Sequence, residues 1–147
     1  MNLTKFTDFS LRMLIYLAVH EGEGPVPVAD IAAAYDISQQ HLVKVVQVLV
    51  REGYVETSRG RSGGVRLACP SKQINLGAVV RATEDLALLE CFGAETDACA
   101  IRSACQLRGV LKRALQAFMA ELDRYTLADI TKRPNAVRPL LSLQRSS

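Results

Sequence analysis

Three observations predict a mainly α-helical fold with a small β-hairpin wing: a winged helix-turn-helix followed by one long helix. Apolar residues recur at helical spacing over the first fifty residues, with a tight turn between two short runs. The period then switches to strand alternation around a glycine-rich tip. A last periodic stretch, residues 105–125, is longer than the remaining core can cover. With 147 residues, 49% of them hydrophobic and 22% charged, the chain has room for one compact domain, or for one small domain plus an oligomerising extension.

The first helix is expected from Phe6 to Val19, with Leu11, Leu14, Leu17 and Ala18 on its apolar side, ending before Gly22-Glu23-Gly24-Pro25. A shorter helix fits Val28 to Tyr35, burying Val28, Ile31 and Ala32. Ser38 is then placed as N-cap of a third helix that turns Leu42, Val45, Val46 and Leu49 inward and stops at Gly53. Tyr54 to Thr57 and Val65 to Ala68 read as two strands joined through Ser58-Arg59-Gly60-Arg61-Ser62-Gly63-Gly64. Asn75 is placed to cap a fourth helix from Leu76 to about Thr83, with Leu76, Val79 and Val80 on its apolar side. Residues 84–105 look irregular and acidic, and a loop of that length inside a compact domain normally has a function or is disordered. Leu107, Leu111, Ala114, Phe118, Leu122 and Tyr125 then mark a helix whose stripe is expected to pack on a second copy of itself. The boundaries are therefore 1–83 for the winged helix, 84–105 for the loop, 106–131 for the dimerisation helix and a short following helix, and 132–147 for a mobile basic tail.

The net charge of +3 and isoelectric point near 8.8 are too mild to establish a polyanionic partner by themselves. Trp is absent and aromatics make up 5%, which weighs against aromatic platforms for sugars or stacked bases. No stretch approaches a membrane span and the start lacks a signal-peptide pattern, so a cytosolic protein is expected. In that compartment four cysteines point to metal or redox chemistry rather than to structural disulfides.

Two groups of residues carry candidate chemistry. Once the apolar positions of the third helix are assigned to the core, Ser38, Gln39, Gln40, His41 and Lys44 remain outside. Amides and a hydroxyl near a helix N-terminus reach base edges in a major groove, and Lys44 suits a phosphate. Arg59, Gly60, Arg61 and Ser62 form the wing tip, where arginines on a narrow turn fit an A-T-rich minor groove. A polar helix face or an Arg-Gly turn alone is usually a solvated surface; their order within one winged-helix outline favours double-stranded operator DNA as partner. His41 alone is weak evidence, and Tyr54 and Val65 read as core.

The second group is Cys91, Cys99 and Cys105. Their spacing lacks the close Cys-x-x-Cys pairs of structural zinc sites and better suits an iron-sulfur cluster, with one further ligand from elsewhere. A redox thiol switch, a degenerate zinc site and three metal-free cysteines remain open on the residues alone. Cys69, outside the loop, reads as a small core residue or an idle thiol.

The opening Leu3 to Arg12, the wing Arg59 to Ala68 and the three-cysteine loop together resemble the Rrf2 family of winged-helix regulators. Glu90-Cys91-Phe92, Cys99-Ala100-Ile101, Cys105-Gln106-Leu107 and the late segment Leu122 to Asp129 are most similar to its nitric-oxide-responsive repressors. The resemblance implies a homodimer with one 4Fe-4S cluster per subunit, the three cysteines as ligands and Asp8 of the other subunit as the fourth. It also implies a repressor rather than an enzyme, with nitric oxide as its signal. The sister branch concerned with cluster assembly carries a histidine three residues after its last cysteine, where this chain has Arg108. Phe9-Ser10, in place of the more usual Tyr-Gly, and Cys69 depart from the pattern. The alternatives are a regulator that reads cluster supply or redox state, an electron-transfer protein without DNA affinity, and a metal-free dimerising module.

Overall fold

The computed structural model describes residues 1–89, 92 and 99–143. The first helix, α1 (Lys5–Val19), starts at Thr4, whose hydroxyl accepts the Thr7 N–H at 3.3 Å. It is the centre of the core and packs against every other helix of the winged-helix body. Leu14 and Leu17 are buried as their spacing predicts, with Met13, Tyr16 and Val19, while Leu11 and Ala18 lie at the border. Ser10 is also buried, and its hydroxyl donates to the Phe6 carbonyl at 2.8 Å, so no polar group is stranded.

The second helix, α2 (Val28–Tyr35), ends at Asp36, which takes the left-handed conformation (φ 52°) and lets the Ile37 N–H reach back to the Ala32 carbonyl at 2.9 Å. That reversal launches α3 (Gln39–Arg51), which buries Leu42, Val45, Val46 and Leu49. Ser38 occupies the N-cap position as expected, but its side chain makes no capping bond.

The wing is an antiparallel pair, β1 (Val55–Ser58) and β2 (Gly64–Leu67), with Val55 opposite Leu67 and Ser58 opposite Gly64. A further pairing joins it to the body: Val26 and Val65 exchange both backbone hydrogen bonds at 2.8 Å. Gly64 is required at that junction because a Cβ there would lie 2.3 Å from the Val26 carbonyl oxygen.

After a 3-10 turn at Ser71–Gln73, α4 (Leu76–Thr83) is capped by Asn75, whose side chain accepts the Ala78 N–H at 3.0 Å. Another 3-10 turn, Arg102–Ala104, leads through Cys105 into α5 (Gln106–Asp123). Then follow α6 (Leu127–Ile130), with a Thr126/Asp129 capping box, and α7 (Pro134–Leu143).

The sequence expectation of a mobile tail from residue 132 is corrected by α7. Val137 and Leu141 pack on the core beside α1 and α2, the Arg138 Nε–H donates to the Val19 carbonyl at 2.6 Å, and its guanidinium pairs with Glu23 at 2.6 Å. The partner acid lies in the loop after α1, so counting acids within the tail could not find it. Residues 144–147 lie outside the described residues.

Candidate nucleic-acid interface and cysteine site

Helical geometry sorts α3 by face. With Leu42, Val45, Val46 and Leu49 inward, Gln40, Val43, Lys44, Gln47 and Arg51 lie on the outer side, all exposed. Every DNA-facing residue expected from sequence, Ser38, Gln39, Gln40, His41, Lys44, Arg59, Gly60, Arg61 and Ser62, is exposed. His41 is turned toward α1, its ring 6.1 Å from that of Phe9, which sets it at the edge of the outer face. Val43 and Gln47 carry no role in the sequence reading. They line a groove of about 270 Å³ between α3 and the wing, with Thr57, Ser58 and Gly64 opposite. An exposed valine beside two glutamines offers methyl contact and bidentate amide donors to base edges. The exposed valine is the signal that sequence reading overlooked, since a core assignment absorbs apolar residues by type rather than by helical angle.

At the wing tip, Gly60 has φ 101°, a conformation that leaves Arg59 and Arg61 splayed around a tight turn closed by the Gly63 N–H to the Gly60 carbonyl at 3.0 Å. Ion pairing separates the cations of this face from their neighbours. Arg66 pairs with Glu56 at 2.5 Å and Arg51 with Glu52 at 3.2 Å, whereas Lys44, Arg59 and Arg61 form no ion pair among the described residues. Unneutralised cations over one face are what a phosphate backbone requires.

The cysteine site lies further along the chain, at the entry to α5. Cys105 is half-buried at the N-cap of α5, at the positive end of an 18-residue helix where an anionic ligand set is favoured. Cys99 is exposed one turn before, its carbonyl accepting the Arg102 N–H at 3.1 Å. Arg102 and Arg108 line the same shallow cavity as Cys99. Cys91 lies outside the described residues. Among the described residues no three His, Cys, Asp or Glu side chains gather closely enough to hold a metal ion. Two soft sulfur donors among cationic side chains nevertheless fit the chemistry of an iron-sulfur cluster completed from outside this set. Arg108 is committed to the Phe92 ring, 5.9 Å from its centroid, and has no acceptor nitrogen with which to take the role of a ligating histidine.

Asp8 sits in the first turn of α1, half-exposed, and holds Arg12 through both oxygens at 3.0 Å. The cap of α1 is Thr4, so Asp8 is not a capping residue. Arg12 in turn lies 5.8 Å from the Tyr35 ring centre, and burial pushes the Tyr35 phenol up to about 12. Cys69 is half-buried against the core, its thiol raised by burial and by the nearby Glu21 carboxylate.

Along α5, Met119 alone is fully buried; Leu107 is 56% and Val110 51% exposed, and Leu111, Leu115, Phe118 and Leu122 are half-covered. Leu111, Leu115 and Phe118 form one wall of an apolar groove of about 400 Å³ whose other wall is Leu3, Leu86 and Leu88. Among the described residues no helix is long and apolar enough to cross a membrane.

The sequence pattern of the Rrf2 family, described as iron-dependent transcriptional regulators, matches residues 3–133. The chain belongs to the Rrf2 family. It is 48% identical over 143 residues to the HTH-type transcriptional regulator NsrR of Bacillus licheniformis, covering 97% of this chain and 100% of that one. It is 46% identical to the NsrR of Bacillus subtilis over 98% of this chain and 99% of that one. Among solved structures, CymR, the global cysteine regulator of B. subtilis, superposes with a TM-score of 0.72 at 26% identity, covering 90% of this chain and 97% of that one. T. potens IscR superposes with 0.71 at 26% identity, over 90% and 87%. The winged-helix reading therefore stands, and this Rrf2-family chain is a DNA-binding transcriptional regulator, not an enzyme. α7 lies beyond the residues that the family pattern matches.

Proposed function

We propose that the chain is a cytoplasmic, homodimeric repressor that holds a 4Fe-4S cluster and binds a palindromic operator until nitric oxide reacts at the iron. Cys91, Cys99 and Cys105 of one subunit and Asp8 of the other are the ligands in this reading. The carrying observation is the sharing of one helix by two features: α5 begins at Cys105 and presents Leu107 and Val110 uncovered directly after it. A second copy seated on that face brings another α1, and with it another Asp8, toward the cysteines. The relatives named NsrR support the same branch.

When bound, the cluster supplies an iron site reactive toward nitric oxide. The chain's own residues do the rest. Cys99 and Cys105 anchor the loop to the start of the dimer helix, Asp8 exchanges Arg12 for a place across the dimer, and the spacing of the two α3 helices follows from both attachments. Half-sites about one DNA turn apart, near 34 Å, leave little tolerance for a shift of that spacing. Ser38, Gln39, Gln40 and His41 meet base edges, Lys44 a phosphate, and Arg59, Gly60, Arg61 and Ser62 the adjoining groove.

The test is anaerobic purification with iron and sulfide analysis, followed by nitric oxide titration against operator binding. Brown protein that binds DNA and lets go on titration is expected; colourless, iron-poor protein that binds equally well after reconstitution overturns the cluster reading. The family's description as iron-dependent supports a second reading, a sensor of cluster supply or redox state. It is distinguished by operator release on iron depletion together with indifference to nitric oxide.

A further inference from the structure

The last turn of α5 is fastened to the start of α4 with more directional bonds than a packed helix pair needs. The Asp123 carboxylate grips the Arg81 guanidinium through two parallel bonds, Oδ1 to Nη1 at 2.6 Å and Oδ2 to Nη2 at 2.7 Å. This fork lies directly on Gly77, where a Cβ would come within 1.9 Å of Asp123 Oδ1. Beside it the Asn75 amide donates to the Asp123 carbonyl at 2.7 Å, the Leu76 N–H to the Tyr125 carbonyl at 3.0 Å and the Leu127 N–H to the Ile74 carbonyl at 2.8 Å. Both charged side chains are close to half exposed, so the pair contributes little to stability. What a bidentate fork does supply is a fixed mutual orientation.

We propose that Asp123, with Arg81 and Gly77, is a positioning residue for operator recognition: it sets the angle at which α5 leaves the winged-helix body, and through it the separation of the two α3 helices. The inference rests on the dimer through α5. A rotation of about 10° at this junction, acting over a lever of roughly 20 Å, moves a recognition helix by about 3.5 Å, the rise of one base pair. The fork is built on α4 and α5, outside α3 and the wing, so it acts on spacing and not on base contact.

Asp123→Asn keeps the side chain's shape and removes its charge. Gly77→Ala places a methyl where the carboxylate lies; alanine suits a helix, and the atoms it meets are the movable ends of Asp123 and Arg81. The probes are duplexes selected by the wild-type protein from a random pool, remade with half-sites moved by one and two base pairs in either direction, and a single half-site. Association state is followed by sedimentation. The wild type is expected to lose about tenfold or more per base pair of displacement. Both variants are expected to stay dimeric, to match the wild type on the single half-site, and to lose less than about threefold on displacement. A displacement penalty equal to the wild type's in folded, dimeric Asp123→Asn overturns the inference while leaving the dimer in place. A wild type that is monomeric or indifferent to spacing overturns the dimer reading and the inference with it.

Discussion

Arg61→Ala tests both the wing's contact with phosphate and the number of wings on the DNA. Arg61 is exposed at the tip and forms no ion pair among the described residues, so its removal leaves no carboxylate stranded and any effect reports on the nucleic acid. Each phosphate neutralised steepens the dependence of log K on log salt by about 0.9 for B-form DNA, so one Arg61 from each subunit contributes about 1.8. Between about 50 and 200 mM salt, a fourfold change, the wild type should therefore lose about twelvefold more affinity than the variant; a single wing on the operator gives about 3.5-fold instead. Arg66→Ala is the internal control: Arg66 lies on the adjoining strand but is spent on Glu56 at 2.5 Å, and its slope should change by less than about 0.5. The assay is fluorescence anisotropy with a labelled palindromic duplex over a salt series. An Arg61→Ala slope equal to the wild type's would remove this arginine from the phosphate-contacting set.

Gln47→Ala should relax sequence preference at one position of each half-site, at about 1–3 kcal/mol of discrimination, without changing the salt slope; binding selection against a randomised half-site reads this out. Leu127 is fully buried where α6 returns to the core, and Leu127→Ala should cost about 2–5 kcal/mol in chemical denaturation, with a similar slope against denaturant. Acid should weaken the α4–α6 region in a defined way. The Asp123 carboxyl is lowered by its bond from Arg81, and that of Asp129 by the Thr126 N–H and hydroxyl. A carboxylate depressed in the folded state contributes stability that is complete above its unfolded value and lost as pH falls through the folded one. Because both carboxylates are partly exposed their share is small: thermal unfolding should be flat from pH 7 to about 5, and below about 4 Asp123→Asn/Asp129→Asn should decline only slightly less than the wild type.

Most of the fold was legible because its signals are local. Asn75 announces a helix by its own capping bond, and the 4- and 3-residue spacing of α5 holds over its whole length. Gly60, Gly63 and Gly64 mark a turn that few other residues can make. The features that escaped depend on partners far along the chain. Val26 sits between two prolines and looks like a connector, yet it pairs with Val65 because β2 presents an open edge there. Val137 and Leu141 look like tail residues until Glu23 and the Val19 carbonyl are seen to wait for Arg138. At the DNA face the residue types gave the outline, and the helical angle of Val43, Gln47 and His41 was needed to separate the groove between helix and wing from the flank on Phe9. The cysteines were legible by type and spacing alone; Cys99 and Cys105 are placed at the entry to α5, and Cys91 lies outside the described residues.

The closing helix has a practical corollary for anyone preparing fragments. A chain trimmed where the family pattern ends, at residue 133, would strip the cover from the hydrophobic wall shared by the first two helices and leave Glu23 and the Val19 carbonyl without their basic partner. Such a fragment would gain a sticky flank behind the reading head.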